Sequence, residues 1–145
     1  MSLAKVRSGE LLALAGAVCV VVSLFEPWYE GPLGGLDVWD TFGPAIVLLL
    51  VATCGALWLF ASTLTERSSA LPVAAAVWNV PFGLIALVCA IVRVLERPDH
   101  ATRLCAGVWL ALAGAAAILA GAWQSIRDER GSLYPPAAPQ PRPRP

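Results

Sequence analysis

Three long stretches of the chain carry no charged residue: residues 41–65, 68–92 and 104–126, of 25, 25 and 23 residues. Each exceeds the ~20 residues that a helix rising ~1.5 Å per residue needs to cross ~30 Å of hydrocarbon. A fourth uncharged run, residues 11–25, is only 15 long and follows Lys5 and Arg7. That length and those bases also suit a signal-peptide core. No small-x-small cleavage site follows, however, because the run ends in Phe25-Glu26-Pro27-Trp28. Extended over residues 9–28, it reads as an uncleaved first span, with Glu10 at its edge and Trp28 and Tyr29 at headgroup level.

Backbone groups in hydrocarbon must be satisfied within the segment, and these runs are too long and too unalternating for barrel strands. The pattern therefore predicts an all-α fold, an integral membrane four-helix bundle over residues 9–126. Its helices should cover about 9–28, 41–65, 69–92 and 104–126. Asp40 or Thr41 with Pro44, and Ser69 with Pro72, are helix-entry signals, and Pro98 stops a helix in the loop before the fourth span. Residues 1–8 form a short N-terminal segment. Residues 127–145 form a Pro/Arg-rich tail, six of whose last 15 residues are proline, and such a tail is extended and solvated. Its PxxP spacing, Pro136 to Pro139, also fits an aromatic docking groove.

Charge fixes the orientation. With the N terminus inside, Lys5, Arg7, Arg67, Arg127, Arg130, Arg142 and Arg144 are cytoplasmic, while only Arg93, Arg97 and Arg103 are outside. The rule that inner loops collect Lys and Arg thus favours an N-in/C-in arrangement. Only 14% of residues are charged, against about 25% in soluble domains, and the net charge of zero gives no surface for nucleic acid. The lipid bilayer is the implied partner.

Lipid supplies no hydrophobic drive between helices, so small residues mark close contacts. Gly107, Gly114 and Gly121 recur every seven residues in the fourth span, and Gly9, Gly16 and Ser23 do so in the first. A seven-residue repeat keeps one face toward a partner, which predicts that the first and fourth spans pack tightly. Ala76, Gly83 and Ala90 share that spacing in the third.

Candidate chemistry is sparse. Thr53 and Asn79 lie at matching depths on the second and third spans, suited to a hydrogen bond across that hairpin. With Trp78 and the kink expected at Pro81, they outline either ordinary interhelical glue or a small midplane pocket. The first outer loop, with Trp28, Tyr29, Asp37, Trp39 and Asp40, holds acids and aromatics but no base. It reads as a solvated connector, a protein-contact loop or a cation site, although its spacing matches no calcium loop. The four cysteines fall one per span. Cys19 and Cys54 are deep, while Cys89 and Cys105 lie near the outer face, where a disulfide or two free thiols are both open to them. His100 is the only histidine, so no paired-histidine haem site forms within one chain. No span interior carries an ionisable acid or base, which argues against a pump, a proton-coupled antiporter or an intramembrane protease. No cofactor, metal or catalytic set is expected.

The motifs "GELLALAG", "SLFEPWY", "GLDVWDTFG", "ALPVAAAV" and "GAWQSIRDE" together resemble a set of small four-span membrane proteins common in actinobacteria. The resemblance covers roughly residues 8 to 130. It implies the same topology and a bacterial inner membrane; that group has no established activity, so no residue role is implied. The resulting expectation is a non-catalytic membrane protein acting by contact, as an accessory subunit, scaffold or homo-oligomer. The competing reading is a binder or transport component for lipid or a small apolar molecule, using the pocket around Asn79.

Overall fold

The computed structural model describes residues 8–32, 34–41, 43, 46–65, 70–99 and 101–132. His100, the N-terminal segment before Ser8, Arg67, Ser69, Pro44 and the tail beyond Ser132 lie outside the described residues, as do the side chains of Asp40 and Pro72. Among the described residues, four long helices form an all-α bundle: α1 (Ser8–Ser23), α3 (Ile46–Thr65), α4 (Ala70–Leu95) and α5 (Ala106–Ser132). The segments Ala74–Leu95 and Ala106–Asp128 are long and apolar enough to cross a membrane; Ser8–Ser23 and Ile46–Ser62 are apolar but shorter.

The helices are apolar on all sides, as expected of buried or membrane-spanning helices. Leu11, Val18 and Val22 on α1, Val47 and Trp58 on α3, Val77, Trp78 and Val88 on α4 and Trp109 on α5 all point outward. Soluble proteins rarely expose apolar surface so continuously. The inward stripe is rich in small residues, Ala13 and Ala17 on α1, Ala52 and Ala56 on α3, Ala76, Ala86 and Ala90 on α4, and Ala111, Ala115 and Ala122 on α5, with Val20, Leu49, Leu59 and Ile118 filling the space between them. Each helix packs on its neighbours around a ring, α1 on α3 and α5, and α4 on α3 and α5.

The α1–α5 seam is the closest. A Cβ added to Gly16 would lie 2.6 Å from the Gly114 carbonyl oxygen, and one on Gly9 would lie 2.7 Å from that of Gly121. The pairing 9 with 121 and 16 with 114 makes the helices antiparallel. At the outer end, a Cβ on Gly107 would meet the carbonyls of Glu26 and Pro27 at 2.8 and 2.9 Å. The seven-residue spacing thus marks a real seam. Gly83, which shares it on α4, also faces the α5 backbone but less closely, since its Cβ would lie 3.3 Å from the α-carbon of Leu119.

The first helix does not reach Trp28. It closes at Ser23 with tightened last-turn bonds, from the Leu24 and Phe25 N–H groups to the Val21 and Val22 carbonyls at 3.1 Å each. Pro27 follows, and the chain enters a small sheet that the apolar pattern does not reveal. Strands β1 (Tyr29–Gly31) and β2 (Gly34–Leu36) form an antiparallel hairpin, and β3 (Arg103–Leu104), from the other outer loop, pairs antiparallel with the free edge of β1. Gly34 sits at φ 130°, which favours glycine. A single turn, α2 (Val38–Thr41), leads on toward α3. At the far end α5 continues as helix to Ser132, so the first residues of the expected tail belong to it.

Candidate functional site

Two regions hold the residues singled out by the sequence. The first is the cap over the end of the bundle where α1 and α4 finish and α5 begins. Trp28 and Tyr29 are fully buried there, contrary to the interfacial positions expected of them. Trp28 fills the space left by Gly107, and its indole N–H donates to the Ser23 carbonyl at 2.7 Å. The Tyr29 hydroxyl donates to the Arg93 carbonyl at 2.7 Å, joining the cap to the end of α4. Burial pushes the Tyr29 phenol above its ordinary value, while the Arg93 and Arg97 cations pull the other way. Both residues belong to the core because the cap folds inward onto it, in one apolar cluster that also includes Leu24, Val38 and Val108.

The two loops at this end are sewn together. The Cys105 N–H donates to the Trp28 carbonyl at 2.9 Å, and the Thr102 N–H and hydroxyl both donate to the Glu30 carbonyl at 2.8 Å. Of the aromatic residues expected to make contacts, Trp39 alone is left facing out. It is 54% exposed, yet its indole N–H donates to the Leu24 carbonyl at 3.2 Å and pins the ring. Asp37 is exposed beside it, and its carbonyl caps α2 by accepting from the Thr41 hydroxyl at 2.8 Å. Among the described residues, no group of three or more His, Cys, Asp or Glu could hold a metal ion. Cys19, Cys54, Cys89 and Cys105 are free thiols.

The second region is a groove of about 640 Å³ between α3 and α4. Its walls include Val51, Cys54 and Trp58 from α3 and Trp78 and Phe82 from α4, and its floor is formed by Gly55, Ala75 and Asn79. Asn79 is 1% exposed, whereas Trp58 and Trp78 are each 67% exposed. Trp78 stacks on Phe82, with centroids 6.4 Å apart.

The bond expected between Thr53 and Asn79 is not formed. The Thr53 hydroxyl donates instead to Leu49, one turn back in its own helix, at 2.8 Å. The Asn79 Nδ2 crosses to the Gly55 carbonyl at 2.7 Å. Thr53 and Gly55 differ by about 200° around α3, so equal depth did not mean a shared face. Pro81 lies within α4, is exposed and is not among the residues lining the groove. Gly55 and Trp58 are contributors that the sequence reading missed. Gly55 stood outside every seven-residue repeat, and Trp58, three residues on, would have been the signal.

Gly55 and Asn79 fit one another. A Cβ on residue 55 would overlap the Asn79 Oδ1, so the amide occupies the space of a side chain that glycine lacks. That Oδ1 is buried without a hydrogen-bond partner, alone in this respect among the described residues. No charged side chain lines the groove, whose walls are mainly apolar with the Asn79 amide at the floor.

No protein-family model, curated protein or solved structure matches the chain. The chain is a largely apolar helical bundle, consistent with association with a membrane.

Proposed function

We propose that this chain is a four-span inner-membrane protein of the kind its motifs resemble, with both termini in the cytoplasm, and that it acts by contact. It serves as an accessory subunit, scaffold or homo-oligomer and does no chemistry of its own. The observation that carries this reading is the outer cap. Two separate loops are joined in one sheet and fixed to the helix ends, so the cap presents a rigid outer face instead of two solvated connectors. On that face Trp39 is exposed but held, and a pre-ordered aromatic of this kind loses little entropy on docking and is a frequent interface anchor. The outer edge of β2 is also unpaired within the sheet, beside Asp37 and Trp39.

The apolar residues that face outward on all four helices support four spans, the exposed Arg127 and Asp128 coming only toward the end of α5. In α1, its 16 residues reach about 24 Å, and the turn that follows and the buried Trp28 carry the chain through the remaining depth.

The test is site-specific photo-cross-linking in native membranes, with the reactive group at position 39 and, as a control, at the outward-facing position 109. A cross-linked protein of one defined mass at position 39, weakened in Asp37→Ala, is the expected result. Cross-links to lipid alone at both positions would make Trp39 a bilayer anchor and end the contact reading.

A further inference from the structure

We infer that the groove between α3 and α4 is a binding site for a small apolar molecule carrying one hydrogen-bond donor, such as a long-chain alcohol. The inference rests on the four-span reading, because it depends on the surroundings of Asn79. Gly55 is at the middle of α3, about 14 Å from either end, so the groove floor lies near the bilayer centre. No bulk water reaches that depth to satisfy a stray polar group. The Asn79 Oδ1 nevertheless has no hydrogen-bond partner, and leaving a buried acceptor unpaired is expensive.

Nearby protein groups do not repair it. The Thr53 hydroxyl is committed to Leu49, and the Asn79 Nδ2 is committed to Gly55. The oxygen is left against the α-carbon of Gly55, whose C–H is at best a weak donor. A role as interhelical glue is already fulfilled by the Nδ2 bond and leaves the acceptor unexplained. The atom is buried at the groove floor, so a hydroxyl or N–H from the groove completes it by drawing the Asn79 amide slightly toward the opening.

The remaining walls select for shape and polarity. A volume of about 640 Å³ falls within the ~300–1,000 Å³ of ordinary small-molecule sites. Trp58, Trp78 and Phe82 offer broad apolar faces, and no lining side chain is charged. An ion or a zwitterionic headgroup is therefore rejected, and a neutral molecule with a chain or ring accepted. Lipid acyl chains fit the walls equally well but carry no donor, so the orphaned oxygen separates the two.

The test uses the full chain in nanodiscs with Trp39, Trp109 and Trp123 replaced by Phe, so that tryptophan emission comes from Trp58, Trp78 and the buried Trp28. A brominated long-chain alcohol is titrated against its methyl ether, which has the same body and no donor. The expected result is saturable quenching by the alcohol at about tenfold lower concentration than by the ether. Asn79→Leu should abolish that difference. Cys54→Phe, which fills the groove without touching Asn79, should remove saturable quenching by both.

Equal, non-saturable quenching by the two probes means that bulk lipid occupies the groove, and overturns the inference. So does efficient Cys54-to-Cys54 cross-linking in a variant whose other cysteines are serine, because a second copy then fills it. Resistance of the same protein to carbonate extraction, together with accessibility mapping of both termini, is read separately. If those fail, the four-span reading is at fault, and if they hold, the fate of the groove is decided by the probes.

Discussion

The α1–α5 seam and the α3–α4 hairpin are built from similar helices and behave as opposites. In the seam, glycines face each other at matched positions and the two backbones touch; a Cβ on Gly114 would lie 2.7 Å from both the Gly16 carbonyl oxygen and the Val20 Cγ2. In the hairpin there is also a glycine, Gly55, but it faces the amide of Asn79, and the large side chains of Trp58, Trp78 and Phe82 line a groove between the helices. Glycine opposite glycine makes a seal. Glycine opposite asparagine leaves a polar floor under an open groove. The lesson is that a small residue in a membrane helix permits close approach without specifying it; the residue on the other helix decides.

The difference can be broken most violently from the seam. Gly114→Ile forces a branched side chain into backbone and Val20, and should cost about 3 kcal/mol or more. A large fall in thermal unfolding temperature in mild detergent is the readout, and unchanged stability would remove the seam from the account. Gly55→Ala is a milder challenge. Its methyl displaces the Asn79 amide, and the loss of the cross-helix bond, about 1–3 kcal/mol, is partly offset by the ~1 kcal/mol better helix propensity of alanine. The same substitution made in an Asn79→Ala background should be neutral or stabilising, and a double-mutant cycle measures the coupling.

A smaller effect is expected where the cap meets α4. Tyr29→Phe removes the hydroxyl bond to the Arg93 carbonyl while keeping the ring, for about 1 kcal/mol. The folded protein holds the Tyr29 proton to higher pH than the unfolded chain does. This contribution is therefore complete below the ordinary tyrosine value of about 10 and is lost as pH rises through the folded-state value. Alkaline titration of stability should show that loss in the parent and a smaller one in Tyr29→Phe. Last and least, Cys54→Phe adds bulk to an open wall and should change stability by no more than about 0.5 kcal/mol. A large destabilisation there would mean that the groove is closed in the membrane.

Much of this contrast could be read from residue types alone. Gly9 and Gly16 against Gly114 and Gly121 were legible because only a residue without a side chain allows backbones to touch, and that need leaves a period in the sequence. Depth was legible too, since rise per residue is constant, and it placed Asn79 near the correct level of α3. Azimuth was not: choosing between Thr53 and Gly55 needed the rotation of α3 about its axis, which is set by packing on α1 and α4. The cap escaped notice because three-residue strands containing Gly31, Gly34 and Gly35 carry neither alternation nor strand propensity. Trp28 was misplaced for a related reason. A tryptophan after an apolar run usually sits at the membrane surface, and only the cavity over Gly107 draws this one inward.

The seam also sets the order in which the molecule can be completed during synthesis. Its two sides lie far apart in sequence, so the glycine face of α1 is made first and waits for α5 to follow. Until α5 arrives, that face is bare and the β1 edge lacks β3. A chain lacking β3 and α5 would therefore leave two surfaces open at once, the glycine face of α1 and the second edge of β1.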